Sequence, residues 1–229
     1  MKLAIMQPYF FPYIGYWQLI NDVDIFVIYD DVNFIKQGYI NRNSILNSTK
    51  PQQFTLELIG ASSNKLINEI SVGNNRKKLL KTIKQNYLKA PYYENIYLLI
   101  QEILENNEKN LAKFLTNSLK VISNYLDIDT QFILSSELDK DNRLKAQDKV
   151  IEITKILKVP KYINAIGGQE LYDKEVFQKN EIELNFLVTK LTKYKQFKEK
   201  FVPYLSIIDI LMFSSKNEIK NMLGSYELI

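Results

Sequence analysis

With 229 residues, 46% of them hydrophobic and 24% charged, the chain is long enough for one large globular domain. It contains no cysteine and no histidine, which excludes disulfides, thiolate chemistry, most zinc sites and any triad with histidine as base. Its net charge of +4 is mild and its lysines are spread along helical patterns, which read as solvated faces; a nucleic-acid stripe would be denser, and a small anion such as a nucleotide fits the charge just as well.

Leu3 to Met6 predicts a short strand. Gln7-Pro8-Tyr9-Phe10-Phe11-Pro12-Tyr13-Ile14-Gly15-Tyr16-Trp17 follows, and its two prolines exclude a regular helix interior and disfavour a strand. Its aromatic residues therefore begin in a turn. Gly15 to Asn21 reads as a helix and Ile25 to Tyr29 as the next strand, ending at Asp30-Asp31. This is the opening of a βαβ unit, with the turn at the carboxyl end of the first strand, where open α/β sheets bind ligands. Gln7, Asp30, Asp31, Lys36 and Arg42 are expected around that edge, although a hydrophobic plug beneath a loop would use the same aromatics.

Residues 32–45 read as a strand, a turn at Gly38 and a further short strand. Phe54 to Leu58 alternates as a half-buried strand, with Leu66 to Val72 as its antiparallel partner. Three amphipathic helices are predicted over 77–88, 92–104 and 110–125. A strand over 130–134, a helix over 143–157 and strands over 162–166 and 182–188 come next. The apolar run 205–213 and a helix over 217–222 close the chain. The expected fold is a single α/β domain over 1–229 with a mostly parallel sheet, an antiparallel strand pair and a mainly helical segment over about 76–127. No apolar stretch approaches the ~20 residues of a membrane span, and the start lacks a signal-peptide pattern, so a cytoplasmic protein without membrane insertion is expected.

Gly167-Gly168 follows a predicted strand and precedes a helical pattern, a setting in which exposed amides can hold an anion or simply make a tight turn. Ser135-Ser136, with Arg143 downstream, can cap a helix or hold a phosphate. Asp209 is a carboxylate in an apolar segment, and burial would require a partner or a raised pKa.

Together these blocks resemble the WbqC-like family, associated with bacterial surface-glycan gene clusters. The resemblance rests on the Gln7 to Tyr16 block, Tyr29-Asp30-Asp31-Val32, Asn41-Arg42-Asn43, Ile166-Gly167-Gly168 with Leu171-Tyr172, and Leu205 to Asp209. It implies modification of a nucleotide-linked amino sugar for O-antigen or a related glycan, by acyl or aminoacyl transfer to the amine. An acyl thioester on coenzyme A or a carrier protein would be the co-substrate. The implied substrate contacts are Gln7, Tyr9, Phe10, Tyr13, Gly15, Tyr16, Lys36, Arg42, Asn43, Gly167 and Gly168, with Lys36 and Arg42 on the diphosphate. Asp30, Asp31 or Asp209 would accept the proton. No resident metal is expected on that reading. In the alternative of nucleotidyl transfer or adenylation, Asp30 and Asp31 would hold magnesium; a non-catalytic nucleotide-sugar-binding protein is a third reading. Tyr13-Ile14-Gly15-Tyr16 also has the spacing of the His-x-Gly-His signature of nucleotidylyltransferases, with tyrosine at both histidine positions. That likeness implies a Rossmann-like sheet and carries no chemistry with it.

Overall fold

The computed structural model describes residues 1–198 and 200–229. Strand β1 (Lys2–Met6), helix α1 (Ile14–Asp22) and strand β2 (Ile25–Ile28) form the expected opening unit, with β1 and β2 parallel. Both strands are apolar on both faces. Leu3, Ile5, Ile25 and Val27 serve one core, and Ala4, Phe26 and Ile28 serve the other. A strand with two apolar faces belongs inside a sheet covered on both sides.

Between β2 and the next strand of the main sheet come two small antiparallel pairs. They are β3 (Arg42–Asn47) with β4 (Lys50–Thr55), and β5 (Leu58–Ile59) with β6 (Ser71–Val72). The antiparallel pairing expected of Leu66 to Val72 with Phe54 to Leu58 is therefore kept only at its end, where Leu58 pairs with Val72. Ile67–Glu69 is a 3-10 turn, closed by the Glu69 carboxylate accepting from the Leu66 amide at 2.9 Å, and only Ser71–Val72 remains extended. Phe54 pairs instead with Asn43 across a tight hairpin. Three helices follow, α2 (Arg76–Tyr87), α3 (Tyr93–Glu105) and α4 (Leu111–Leu126), the last capped by Asn110 accepting from the Lys113 amide.

Strand β7 (Gln131–Leu134), α5 (Ala146–Ile156), β8 (Lys161–Ala165), α6 (Lys174–Lys179) and β9 (Glu183–Thr189) return the chain to the sheet. Helices α7 (Ile207–Phe213) and α8 (Lys216–Leu223) and strand β10 (Tyr226–Leu228) complete it. Helix α6 buries only Phe177 and β10 has three residues, so neither leaves a readable period in the sequence.

The six-stranded sheet has the order β10-β9-β8-β1-β2-β7, and only β10 is antiparallel. From β1 the chain steps outward to β2 and β7, then crosses back to β8 on the other side of β1 and continues to β9. The direction of winding therefore reverses between β1 and β8, which opens a crevice at their carboxyl ends. Helices α5 and α6 cover one face through Val150, Ile153 and Phe177, and α1, α4 and α8 contribute to the other core. Among the described residues, no helix is long and apolar enough to cross a membrane.

Candidate functional site

A cavity of about 680 Å³ occupies the crevice between β1 and β8. That is within the usual range for small-molecule sites. Gln7 at the end of β1, Tyr9 and Tyr13 of the aromatic turn, and Tyr16 of α1 form one wall, with Tyr29 at the end of β2. Asn43 of β3 and residues Ile35 and Tyr39 of the preceding loop extend it. Across the opening stand Asn164, the Ile166-Gly167-Gly168 segment, Leu171 and Tyr172, with Tyr204 from the segment before α7. Seven of the 20 lining residues are tyrosines, three are amides and none carries a charge.

The aromatic turn is both plug and wall. Phe10 and Phe11 point inward, fully buried, and pack edge-on to one another and against Phe54. Tyr9 faces the cavity, with its ring 5.3 Å from that of Tyr16 and 5.9 Å from that of Tyr39. Phe11 has φ of 44°, a left-handed conformation that is strained for a bulky residue. Several donors hold it there. Asn43 Nδ2 and Ser206 Oγ each donate to the Phe11 carbonyl at 2.8 Å, while Trp17 Nε1 and the Ile207 amide each donate to the Pro12 carbonyl at 3.0 Å. Tyr16 Oη donates to the Gln7 carbonyl at 2.8 Å. The single tryptophan and the buried Asn43 thus fix backbone and so set the tyrosines.

Burial pushes the phenols of Tyr9, Tyr16, Tyr29 and Tyr172 above the ordinary tyrosine value. They remain neutral hydroxyls at neutral pH, able to donate hydrogen bonds and unable to serve as phenolate bases.

Of the residues singled out in the sequence, Gln7, Tyr9, Tyr13, Tyr16, Asn43, Gly167 and Gly168 come together in this lining, and Phe10, Gly15, Lys36 and Arg42 do not. Gly15 is packed inside α1, where a Cβ would come within 2.6 Å of Thr189 Oγ1 and the Tyr13 ring. The helical pattern after Gly167-Gly168 is a 3-10 turn over Ile166–Leu171 that contains both glycines, and α6 begins only at Lys174. A Cβ on Gly167 would meet nothing within 4 Å, whereas one on Gly168 would lie 2.5 Å from Asn164 Nδ2. Lys36 is exposed in the loop between the lining residues Ile35 and Tyr39. Arg42 turns back onto that loop, donating to the carbonyls of Gly38 and Gln37.

The three aspartates lie elsewhere. Asp30 is buried and accepts from the Ser136 amide at 2.9 Å, Ser136 Oγ at 2.6 Å and Asn68 Nδ2 at 3.4 Å. Asp31 bridges the ammonium groups of Lys140 and Lys149, each at 2.9 Å. Burial alone would raise its carboxyl, but hydrogen bonds, those of the two lysines among them, outweigh this and hold it below the usual range. Asp209 is fully buried in α7 and accepts from Tyr87 Oη at 2.7 Å, Tyr194 Oη at 2.6 Å and Gln196 Nε2 at 2.7 Å. Burial pushes this carboxyl up, against those three donors. Among the described residues, no group of three or more histidine, cysteine, aspartate or glutamate side chains is placed to hold a metal.

Sequence reasoning did not single out Tyr39, Asn164 or Tyr204 as lining residues. Asn164 could have been found from its place at the end of β8, one turn before the glycine pair. Tyr204 has no local signal, because only the path of the chain brings it to the opening.

The WbqC-like protein family model matches residues 7–221. The chain is 28% identical over 215 residues to "Uncharacterized protein Rv1507c" of Mycobacterium tuberculosis, covering 92% of each chain. No solved structure matches it significantly. The chain belongs to the WbqC-like family.

Proposed function

We propose that this WbqC-like protein takes the amino sugar of a nucleotide-linked sugar into the tyrosine-lined cavity and transfers an acyl or aminoacyl group to its amine. The pathway would be cytoplasmic assembly of O-antigen or a related surface glycan. The observation that carries this reading is the lining itself. Aromatic faces and side-chain amides around an uncharged space at the β1–β8 reversal match a hydroxylated ring. The strand order also supports a Rossmann-like reading of the sheet.

In the transfer, the amine nitrogen attacks a thioester carbonyl, the C–N bond forms, the C–S bond breaks and the nitrogen's proton passes to the departing thiolate. An uncharged cavity disfavours ammonium and so favours the free amine needed for attack. Neutral phenols donating toward the carbonyl oxygen would stabilise its developing charge. Asp30, Asp31 and Asp209 are engaged outside the lining, so this reading gives them no proton-transfer role. The same engagement counts against magnesium held by Asp30 and Asp31. The diphosphate would lie outside the cavity, on the side of exposed Lys36.

A second reading, binding without chemistry, is favoured by one fact: no lining residue is charged at neutral pH. Both readings are tested with Gly167→Leu, at a lining position where an added Cβ would meet no atom within 4 Å. Nucleotide-linked amino sugars should raise the melting temperature of the native protein, and Gly167→Leu should weaken their binding at least tenfold. Equal binding by both proteins would remove the cavity from the argument. Mass spectrometry after incubation with an acyl thioester separates the readings, since N-acylated product appears only if the protein is a transferase.

A further inference from the structure

Asn164, near the end of β8, is only 5% exposed, and it lines the cavity. Its Oδ1 accepts from the Ala165 amide at 2.8 Å, which fixes the orientation of the side-chain amide, since the flipped form would set two donors against each other. Nδ2 is therefore the end that faces Gly168, where a Cβ would come within 2.5 Å of it. The glycine clears the space that this nitrogen needs. Asn43, the other buried amide of the lining, is engaged with backbone, its Nδ2 donating to the carbonyls of Phe10 at 3.3 Å and Phe11 at 2.8 Å. Asn164 Nδ2 carries two hydrogens. The Tyr172 phenol, also in the lining, stands near enough to draw one, and Asn164 and Tyr162 together oppose the rise that burial gives this phenol. The second hydrogen has no acceptor among the described residues. A buried donor in that condition is costly, and a ligand atom that accepts from it recovers the cost.

We infer that Asn164 Nδ2 is the donor that recognises the carbonyl oxygen of the acyl group, with Gly168 as the positioning residue that leaves it room. This rests on the acyl-transfer reading of the cavity. An amide nitrogen can only donate, so its match is an acceptor. Sugar hydroxyls both donate and accept, and the phenols of the lining can meet them in either sense, whereas an acyl carbonyl only accepts. Lys36 belongs to the loop on the opposite wall, so the diphosphate and the carbonyl take different sides of the opening. The transfer is the one already balanced, with C–N formed, C–S broken and the proton on the thiolate. Asn164 exchanges no proton in it and supplies a hydrogen bond as charge develops on the carbonyl oxygen.

The test is calorimetric titration with UDP- and dTDP-linked amino-hexoses, each as the free amine and as its N-acetyl form, whose carbonyl stands where the transferred one would. The native protein should bind the N-acetyl form about threefold to tenfold more tightly than the amine, the gain from one neutral hydrogen bond. Asn164→Asp is of the same size and can still accept from the Ala165 amide, but it replaces the donor with an acceptor and should reverse the preference. Gly168→Ala, whose Cβ would displace the amide, should abolish the preference, and it carries the test alone if Asn164→Asp does not fold. Equal affinity of the native protein for the two forms, a preference that survives substitution, or an equal loss for both forms overturns the role of Asn164 and leaves the sugar reading standing. Binding of neither form by the native protein overturns both.

Discussion

At the carboxyl edge of the sheet, the β1–β8 side presents tyrosines and amides around open space. The β2–β7 side packs ionised groups against one another. Tyr29 divides them, with one surface on the cavity and the Lys149 ammonium 5.3 Å from its ring centroid. Asp30 and Asp31, next in the chain, tie the end of β2 to Ser136, Lys140 and Lys149 and leave no charge in the cavity lining. In this protein these carboxylates tie strand ends to their neighbours, and the cavity is lined by tyrosines, amides and apolar groups.

The largest expected effect breaks the charged side. Asp31→Ala would leave two buried lysines sharing no carboxylate, and chemical denaturation should show a loss of about 3–5 kcal/mol. Ligand affinity per folded molecule should be unchanged. Because the folded-state pKa of Asp31 is lowered, its contribution is complete above the unfolded value near 4 and is lost as pH falls through the folded value. An acid titration of wild-type stability should show this loss, and Asp31→Ala should lack it.

Asp30→Ala should cost about 2–3 kcal/mol, since it strands the Ser136 amide without its acceptor. Tyr16→Phe probes the other side of the division. It removes one donor from the Gln7 carbonyl, costing about 1 kcal/mol, and should weaken sugar binding by about threefold in a calorimetric titration. Comparable ligand effects from Asp30→Ala and Tyr16→Phe would erase the distinction between the two sides.

The smallest effect concerns Asp209. Its raised pKa means that the folded state holds this proton more tightly than the unfolded chain does. The stability conferred by the protonated form is present below the unfolded value and is lost as pH rises through the folded one. The stability of wild type relative to Asp209→Asn should therefore decline as pH rises above the unfolded value near 4. A flat difference would mean that Tyr87, Tyr194 and Gln196 fully offset the cost of burial.

The opening unit was legible because its signals are local: an apolar run, two prolines and a second apolar run ending in Asp30. The glycine pair at the end of β8 was legible for the same reason, and with the turn it located the crevice. The roles of the aspartates were not, because their partners are remote. Ser136 is 106 residues from Asp30, Lys149 is 118 from Asp31, and Tyr87 is 122 from Asp209. A carboxylate beside a predicted cleft reads as chemistry until its partner is known. Phe10 and Tyr9 could not be separated either, since a turn without regular periodicity does not tell which ring faces inward.

The strained turn at Phe11 also bears on when the site can exist. Its carbonyl is held by Ser206 from 195 residues away, and Gln18 reaches the carbonyls of Met222 and Ser225 across more than 200. Contacts of such sequence separation form late, because a long loop must close before they stabilise anything. On a ribosome the first strand and the aromatic turn emerge well before the segment that locks Phe11 in place, 195 residues further on. During refolding, secondary structure should therefore recover before ligand binding does, and the lag between them would time the arrival of Ser206 and Ile207 at the turn.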